Sequence, residues 1–263
     1  MELLALLAAG AAAGTAAGLL GIGGGVIIVP VLSLVFAAQG VDESIIIKVA
    51  VGTSLATIVV TAVSSIWAHH RRGAVRWPLV RVMSPGVVAG ALLGAWLADI
   101  IPAYWLTLGF IVFLSGVSLQ MALGTVGAGR ALPGPIGLSG VSSVVGCISA
   151  LMGIGGGALH VPFMSWCGVP VKQAIATAAA IGFPLALASS IGFVFTGLDE
   201  TLLPPHSLGY INLPAFAGVV AASILFAPLG ARLAHQLPDK LIKRIFAVFL
   251  FLLALRMAYT LLF

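Results

Sequence analysis

The sequence predicts an all-α polytopic membrane protein made of two inverted five-segment repeats. It has about 8–10 transmembrane segments, with the first two of each repeat short or re-entrant. Three observations predict this class. The 263-residue chain is 61% hydrophobic and only 7% charged, with a mean hydropathy of +1.21. A soluble domain carries about 25% charged residues, so this chain uses lipid as its solvent. A ten-residue glycine-rich motif occurs twice, opening at Gly21 and again at Gly153. Finally, the basic residues of the loops change sides between the two copies, as inversion requires.

Apolar runs between charged or Pro/Gly breaks place the first five segments near 2–20, 26–37, 44–68, 79–98 and 103–123. The second five fall near 136–152, 158–167, 172–195, 208–234 and 241–262. Gly127, Gly129, Pro133 and Pro135 break the pattern between them and read as a linker. The domains are therefore 1–124, the first repeat; 125–135, the linker; and 136–263, the second, inverted repeat. Glu2 leads straight into Leu and Ala without a basic leader or a small-residue cleavage site, so the first run reads as a membrane segment. At roughly 20 residues per span, no length remains for an appended catalytic domain. Strict apolar–polar alternation is absent, which argues against an outer-membrane barrel.

The net charge of +5 sits in short loops, where it concerns orientation and not nucleic acid. All seven acids (Glu2, Asp42, Glu43, Asp99, Asp199, Glu200 and Asp239) fall at segment ends or in loops. No carboxylate is left in mid-membrane to handle a proton or sodium ion. Lys48, about a turn inside its segment, is expected to lean on nearby Asp42 or Glu43, with an anion vestibule as the alternative. Trp67, Trp77, Trp96, Trp105 and Trp166 lie near segment ends, as interfacial anchors do. Cys147 and Cys167 form no CxxC and read as packing residues. The sequence offers no catalytic Ser–His arrangement, and neither a metal nor a cofactor is expected.

Gly21-Ile22-Gly23-Gly24-Gly25-Val26-Ile27-Ile28-Val29-Pro30 returns as Gly153-Ile154-Gly155-Gly156-Gly157-Ala158-Leu159-His160-Val161-Pro162. Gly86-Val87-Val88-Ala89 matches Gly218-Val219-Val220-Ala221 at the same spacing. An odd number of segments per copy turns the second copy upside down. In copy one, the loop after the third segment holds Arg71, Arg72 and Arg76; its counterpart holds Asp199 and Glu200. The next loop holds Asp99 in copy one, against Arg232, Lys240, Lys243 and Arg244 in copy two. The swap at both loops predicts both termini outside the cytoplasm, and inverted repeats are a hallmark of secondary transporters.

Three adjacent glycines interrupt a helix, and Val29-Pro30 and Val161-Pro162 are expected to limit the short helix that follows. Residues 2–37 suit a hairpin with Gly23, Gly24 and Gly25 at its tip; Gly155, Gly156 and Gly157 form the matching tip. Such a tip presents unpaired N–H groups and the positive end of a half-helix, both suited to an anion. The two tips would meet from opposite faces around one central site. Close helix packing through small residues is the plainer alternative.

His160 sits one turn from the second tip, where copy one has Ile28. It is either a satisfied packing residue or a group that binds an anion or carries a proton. Thr53 and Ser54, after Gly52, are candidate hydroxyl donors to the cargo; copy two has Phe183 and Pro184 there. Hydroxyls bonded back to their own helix are the alternative.

The paired glycine motifs, Gly52-Thr53-Ser54-Leu55 and the His69-His70-Arg71-Arg72-Gly73 loop resemble the TauE/SafE family, also described as sulfite exporters or the 4-toluene sulfonate uptake permease family. The resemblance covers essentially the whole chain. It implies a bacterial or archaeal plasma-membrane transporter of a small sulfur-containing anion, such as sulfite or sulfoacetate, running outward. His160 departs from the apolar residue common at its position. Two other modes stay open on the residues: an anion channel, and import with a proton carried through His160. Outward uniport gains about 2.3 kcal/mol per charge per 100 mV.

Overall fold

The computed structural model describes residues 2–20, 24–123, 131–233 and 239–262. Ten helices and one β-hairpin account for the regular structure of these residues. In order they are α1 (Glu2–Leu20), α2 (Gly25–Ala38), α3 (Glu43–His70), α4 (Trp77–Ile100), α5 (Ala103–Leu123) and α6 (Pro135–Leu151). Then come α7 (Gly157–Trp166), α8 (Val171–Thr196), β1 (Ser207–Leu208), β2 (Ile211–Asn212), α9 (Leu213–Leu233) and α10 (Asp239–Leu262).

All ten expected segments are helices. One boundary moves: the ninth begins at Leu213 rather than near 208, because β1 and β2 pair antiparallel, Ser207 with Asn212 and Leu208 with Ile211. The preceding Pro204-Pro205 withholds the N–H groups a helix needs there. Pro30 and Pro162 lie inside their helices, as the expected segments 26–37 and 158–167 have it. α2 continues to Ala38 and α7 to Trp166, since an interior proline removes one backbone bond and can kink a helix without stopping it.

Among the described residues, four helices are long and apolar enough to cross a membrane: α3, α4, residues 103–120 of α5, and α8. By contrast α2 has 14 residues and α7 only 10. At ~1.5 Å per residue these reach ~21 and ~15 Å, short of the ~30 Å hydrocarbon layer. The five tryptophans are all exposed close to helix ends.

Backbones touch where glycine replaces a side chain. Gly86, Gly90 and Gly94 of α4 lie against the carbonyl groups of Ser139, Ser143 and Cys147 of α6; a Cβ on Gly90 would stand 1.9 Å from the Ser143 oxygen. Gly10 and Gly14 of α1 abut Val219 and Ser223 of α9, and Gly230 abuts Thr15. Partner numbers rise together in both pairs, so α4 runs parallel to α6 and α1 runs parallel to α9. α8 also follows α4: the Arg76 Nε donates to Gln173 Oε1 at 2.6 Å near their starts, and Gly192 meets Ala95 near their ends.

The opposite end of the bundle gathers α3's start, α4's end and the hairpin. Asp42 caps α3, accepting the Ser44 N–H at 2.9 Å. The Ser44 hydroxyl and N–H hold its carboxyl below the usual carboxylate range. Lys48 does not pair with the expected acids, Asp42 and Glu43, but with Asp99. Its Nζ donates to the Asp99 carbonyl at 2.6 Å and lies 3.8 Å from the Asp99 carboxylate. It projects sideways onto the end of α4 instead of back along its own helix. The Tyr210 hydroxyl donates to the same carboxylate at 2.8 Å.

Candidate functional site

Both short helices begin at a left-handed glycine. Gly24 has φ 76° and Gly156 φ 72°, a region costly for a residue with a Cβ. The local bonding matches: the Gly24 carbonyl accepts from Ile27 and Ile28 at 3.0 and 3.1 Å, and the Gly156 carbonyl from Leu159 and His160 at 3.1 and 2.9 Å. The first N–H groups of α2 and α7, those of Gly25, Val26, Gly157 and Ala158 among them, have no acceptor inside their own helix. Each sits at the positive end of its helix dipole.

The two motifs touch. A Cβ on Gly25 would stand 2.2 Å from the Gly153 oxygen and 3.0 Å from the Ile154 Cα. Gly153, at φ 65°, is itself pressed between Val29 of α2 and Val51 of α3. Gly182 of α8 backs the same loop, its Cβ position 2.7 Å from the Gly155 oxygen. Gly23 lies outside the described residues.

The side chains named from the sequence separate into two groups. Ser54 and His160 join the second glycine loop. The buried Ser54 hydroxyl donates to the Gly153 carbonyl at 2.8 Å. His160 is fully buried, and its ring lies over Gly156, with Nδ1 3.1 Å from the Gly156 oxygen and no partner at Nε2 among the described residues. Thr53 faces the hairpin instead, its hydroxyl oxygen accepting the Asn212 N–H at 2.9 Å. Thr57 donates to the Ser54 carbonyl at 2.6 Å, a bond within its own helix.

Sequence reasoning missed Asn212. Its Oδ1 accepts the Ala215 N–H at 3.0 Å, capping α9 while its own N–H reaches Thr53. The signal was available as Asn212-Leu213-Pro214, a cap followed by proline in the first turn. The Lys48–Asp99–Tyr210 cluster carried no such signal, since its members are far apart in the chain.

Comparison with known proteins shows which family the chain falls in. A family model described as sulfite exporter TauE/SafE matches residues 6–257. A probable membrane transporter protein of Haemophilus influenzae is 36% identical over 261 residues, covering 97% of each chain. The probable membrane transporter protein YunE of Bacillus subtilis is 26% identical over 281 residues, covering 98% of each. A third, MJ0441 of Methanocaldococcus jannaschii, is 27% identical over 241 residues, 89% of this chain and 87% of that one. No solved structure matches. A chain of apolar helices with two glycine-broken short helices, matched over nearly its whole length by that family model and these relatives, belongs to the TauE/SafE family of membrane transporters.

Proposed function

We propose that this chain carries a small sulfur-containing anion, sulfite or an organosulfonate, across the plasma membrane through one central site shared by the two glycine tips. The observation that carries this reading is the contact of Gly25 with the backbone of Gly153 and Ile154. It sets the start of α2 against the loop that leads into α7, and half-helix ends at mid-membrane are how many transporters hold anionic groups.

In this reading the halves 1–124 and 136–263 are inverted copies, and α1–α2 and α6–α7 are hairpins entering from opposite faces. Helix direction supports it. α6 and α8 run with α4, whereas α9 leaves from the end where α8 stops, and α1 runs with α9. Charge supports it as well. Arg71, Arg72, Arg76 and Lys172 lie at one end, while Asp42, Glu43, Asp99, Asp199 and Glu200 lie at the other. By the basic-loop rule the first end is cytoplasmic, and both termini are then outside. Gly24, Gly25, Gly155, Gly156 and Gly157 offer N–H groups to the oxyanion; Ser54 holds the loop in shape through Gly153. Outward movement follows the family's description as sulfite exporters.

The test is efflux from proteoliposomes loaded in turn with sulfite, sulfoacetate, taurine, sulfate and chloride. Saturable efflux of a sulfur oxyanion, above protein-free vesicles and inhibited by a second one, is the expected result. Sulfur oxyanions moving no faster than in protein-free vesicles would overturn the proposal. Currents too large for a carrier would replace it with a channel.

A further inference from the structure

We propose that His160 carries one proton with each anion, so that the transporter moves an anion and a proton together. The inference rests on the central anion site proposed above and identifies what accompanies the anion there.

The argument begins with the ring. A carbonyl oxygen can only accept, so the 3.1 Å contact between Nδ1 and the Gly156 oxygen assigns the ring hydrogen to Nδ1. Nε2 of the neutral ring is then a bare lone pair. It is buried, and no described group uses it, although buried polar atoms are normally paired. The ring also lies at the first turn of α7, with a Cβ on Gly156 only 3.0 Å from Nδ1. The unsatisfied atom and the anion-attracting helix end therefore belong to one place.

Next come the neighbours. α7 packs against α8 and α6. The ionisable groups on these elements are the exposed Lys172 in the first turn of α8, the half-buried Cys147 on α6, and Cys167 just after α7. None of α6, α7 and α8 carries a carboxylate. Among the described residues of these elements, an imidazolium here has no counter-ion. An oxyanion at the glycine tips is the missing counter-charge, and an ion pair in such a setting is tolerated only when both members are present. Proton and anion consequently load together: Nε2 takes a proton from solution on the loading side and returns it on the other. The first half has Ile28 at the position of His160, so this group has no repeat partner and one proton accompanies each cycle. A monovalent cargo then crosses without net charge, and its direction follows the combined anion and proton gradients rather than the membrane potential.

The experiment uses the full chain in proteoliposomes, with the potential clamped at zero, equal anion on both sides and a pH gradient of one unit. Methanesulfonate, which has no titratable proton near neutral pH, and sulfite are the probes, with protein-free vesicles subtracted. The wild type is expected to accumulate the anion about tenfold on the alkaline side, while a trapped pH dye reports protons moving with it. His160→Gln and His160→Asn, chosen with melting temperatures near wild type, are expected to lose this accumulation. Anion that follows an imposed voltage and ignores the pH gradient overturns the proton role but leaves the anion carrier standing. So does accumulation of methanesulfonate that survives His160→Gln. If neither probe moves under any gradient, the anion-carrier reading fails, and the proton role falls with it.

Discussion

Ser54 and Thr53 are adjacent, buried and both hydrogen-bonded, yet they serve different parts of the molecule. Ser54 ties α3 to the second glycine loop through Gly153, whereas Thr53 ties α3 to the start of α9 through Asn212. Ser54→Ala leaves the Gly153 carbonyl without that donor. It is expected to cost about 1–2 kcal/mol of stability and also to weaken anion binding, since it loosens the tip. Thr53→Val orphans the Asn212 N–H at a similar cost, with anion affinity unchanged. Thermal unfolding and equilibrium binding on the two variants separate the roles; equal loss of affinity in both would contradict the assignment. Both hydroxyls, like His160, were recognisable from the sequence as polar groups in apolar surroundings. Their partners were not. Each bond joins residues about a hundred or more positions apart, and nothing local to α3 marks which carbonyl or N–H will arrive.

Helices in this chain are defined by their glycines. Gly90 admits the Ser143 carbonyl of α6, while Gly116 of α5 has nothing within 4 Å of its Cβ position. Gly90→Ala must push α4 and α6 apart, and overpacking of this kind typically costs about 1–3 kcal/mol. Gly116→Ala meets no obstacle and is expected to stabilise by up to about 1 kcal/mol through helix propensity. Melting temperatures of the two single variants in one detergent check the contrast; similar shifts would contradict the packing. At the cluster that joins α3, α4 and the hairpin, Asp99→Asn removes the charge paired with Lys48 and is expected to cost about 1–2 kcal/mol. Helix spans were legible because apolar runs, charges and Pro/Gly breaks are local. The exception was α9, where a two-residue hairpin is too short to register as alternation. Glycines that admit a neighbouring backbone look the same in sequence as glycines that admit nothing.

On the scale of the molecule, the two ends of the bundle differ in charge, and that difference was readable before any contact was known. A cysteine introduced at Arg72 is expected to react with an impermeant maleimide only from the cytoplasmic side, and one at Asp199 only from outside. Labelling of both from the same side would contradict the inverted arrangement. That the two motifs would meet was expected from the repeat; what could not be read was which residues touch, because Gly25 and Gly153 are brought together only by the packing of the whole helical bundle. The most direct test of one shared site is equilibrium binding of a sulfur oxyanion to the purified chain, in wild type, in Gly25→Ala and in Gly156→Ala. The account predicts one anion per chain and an affinity reduced at least about tenfold, about 1.4 kcal/mol, by either substitution. Two anions per chain, or a variant in one half that binds as wild type does, would contradict it.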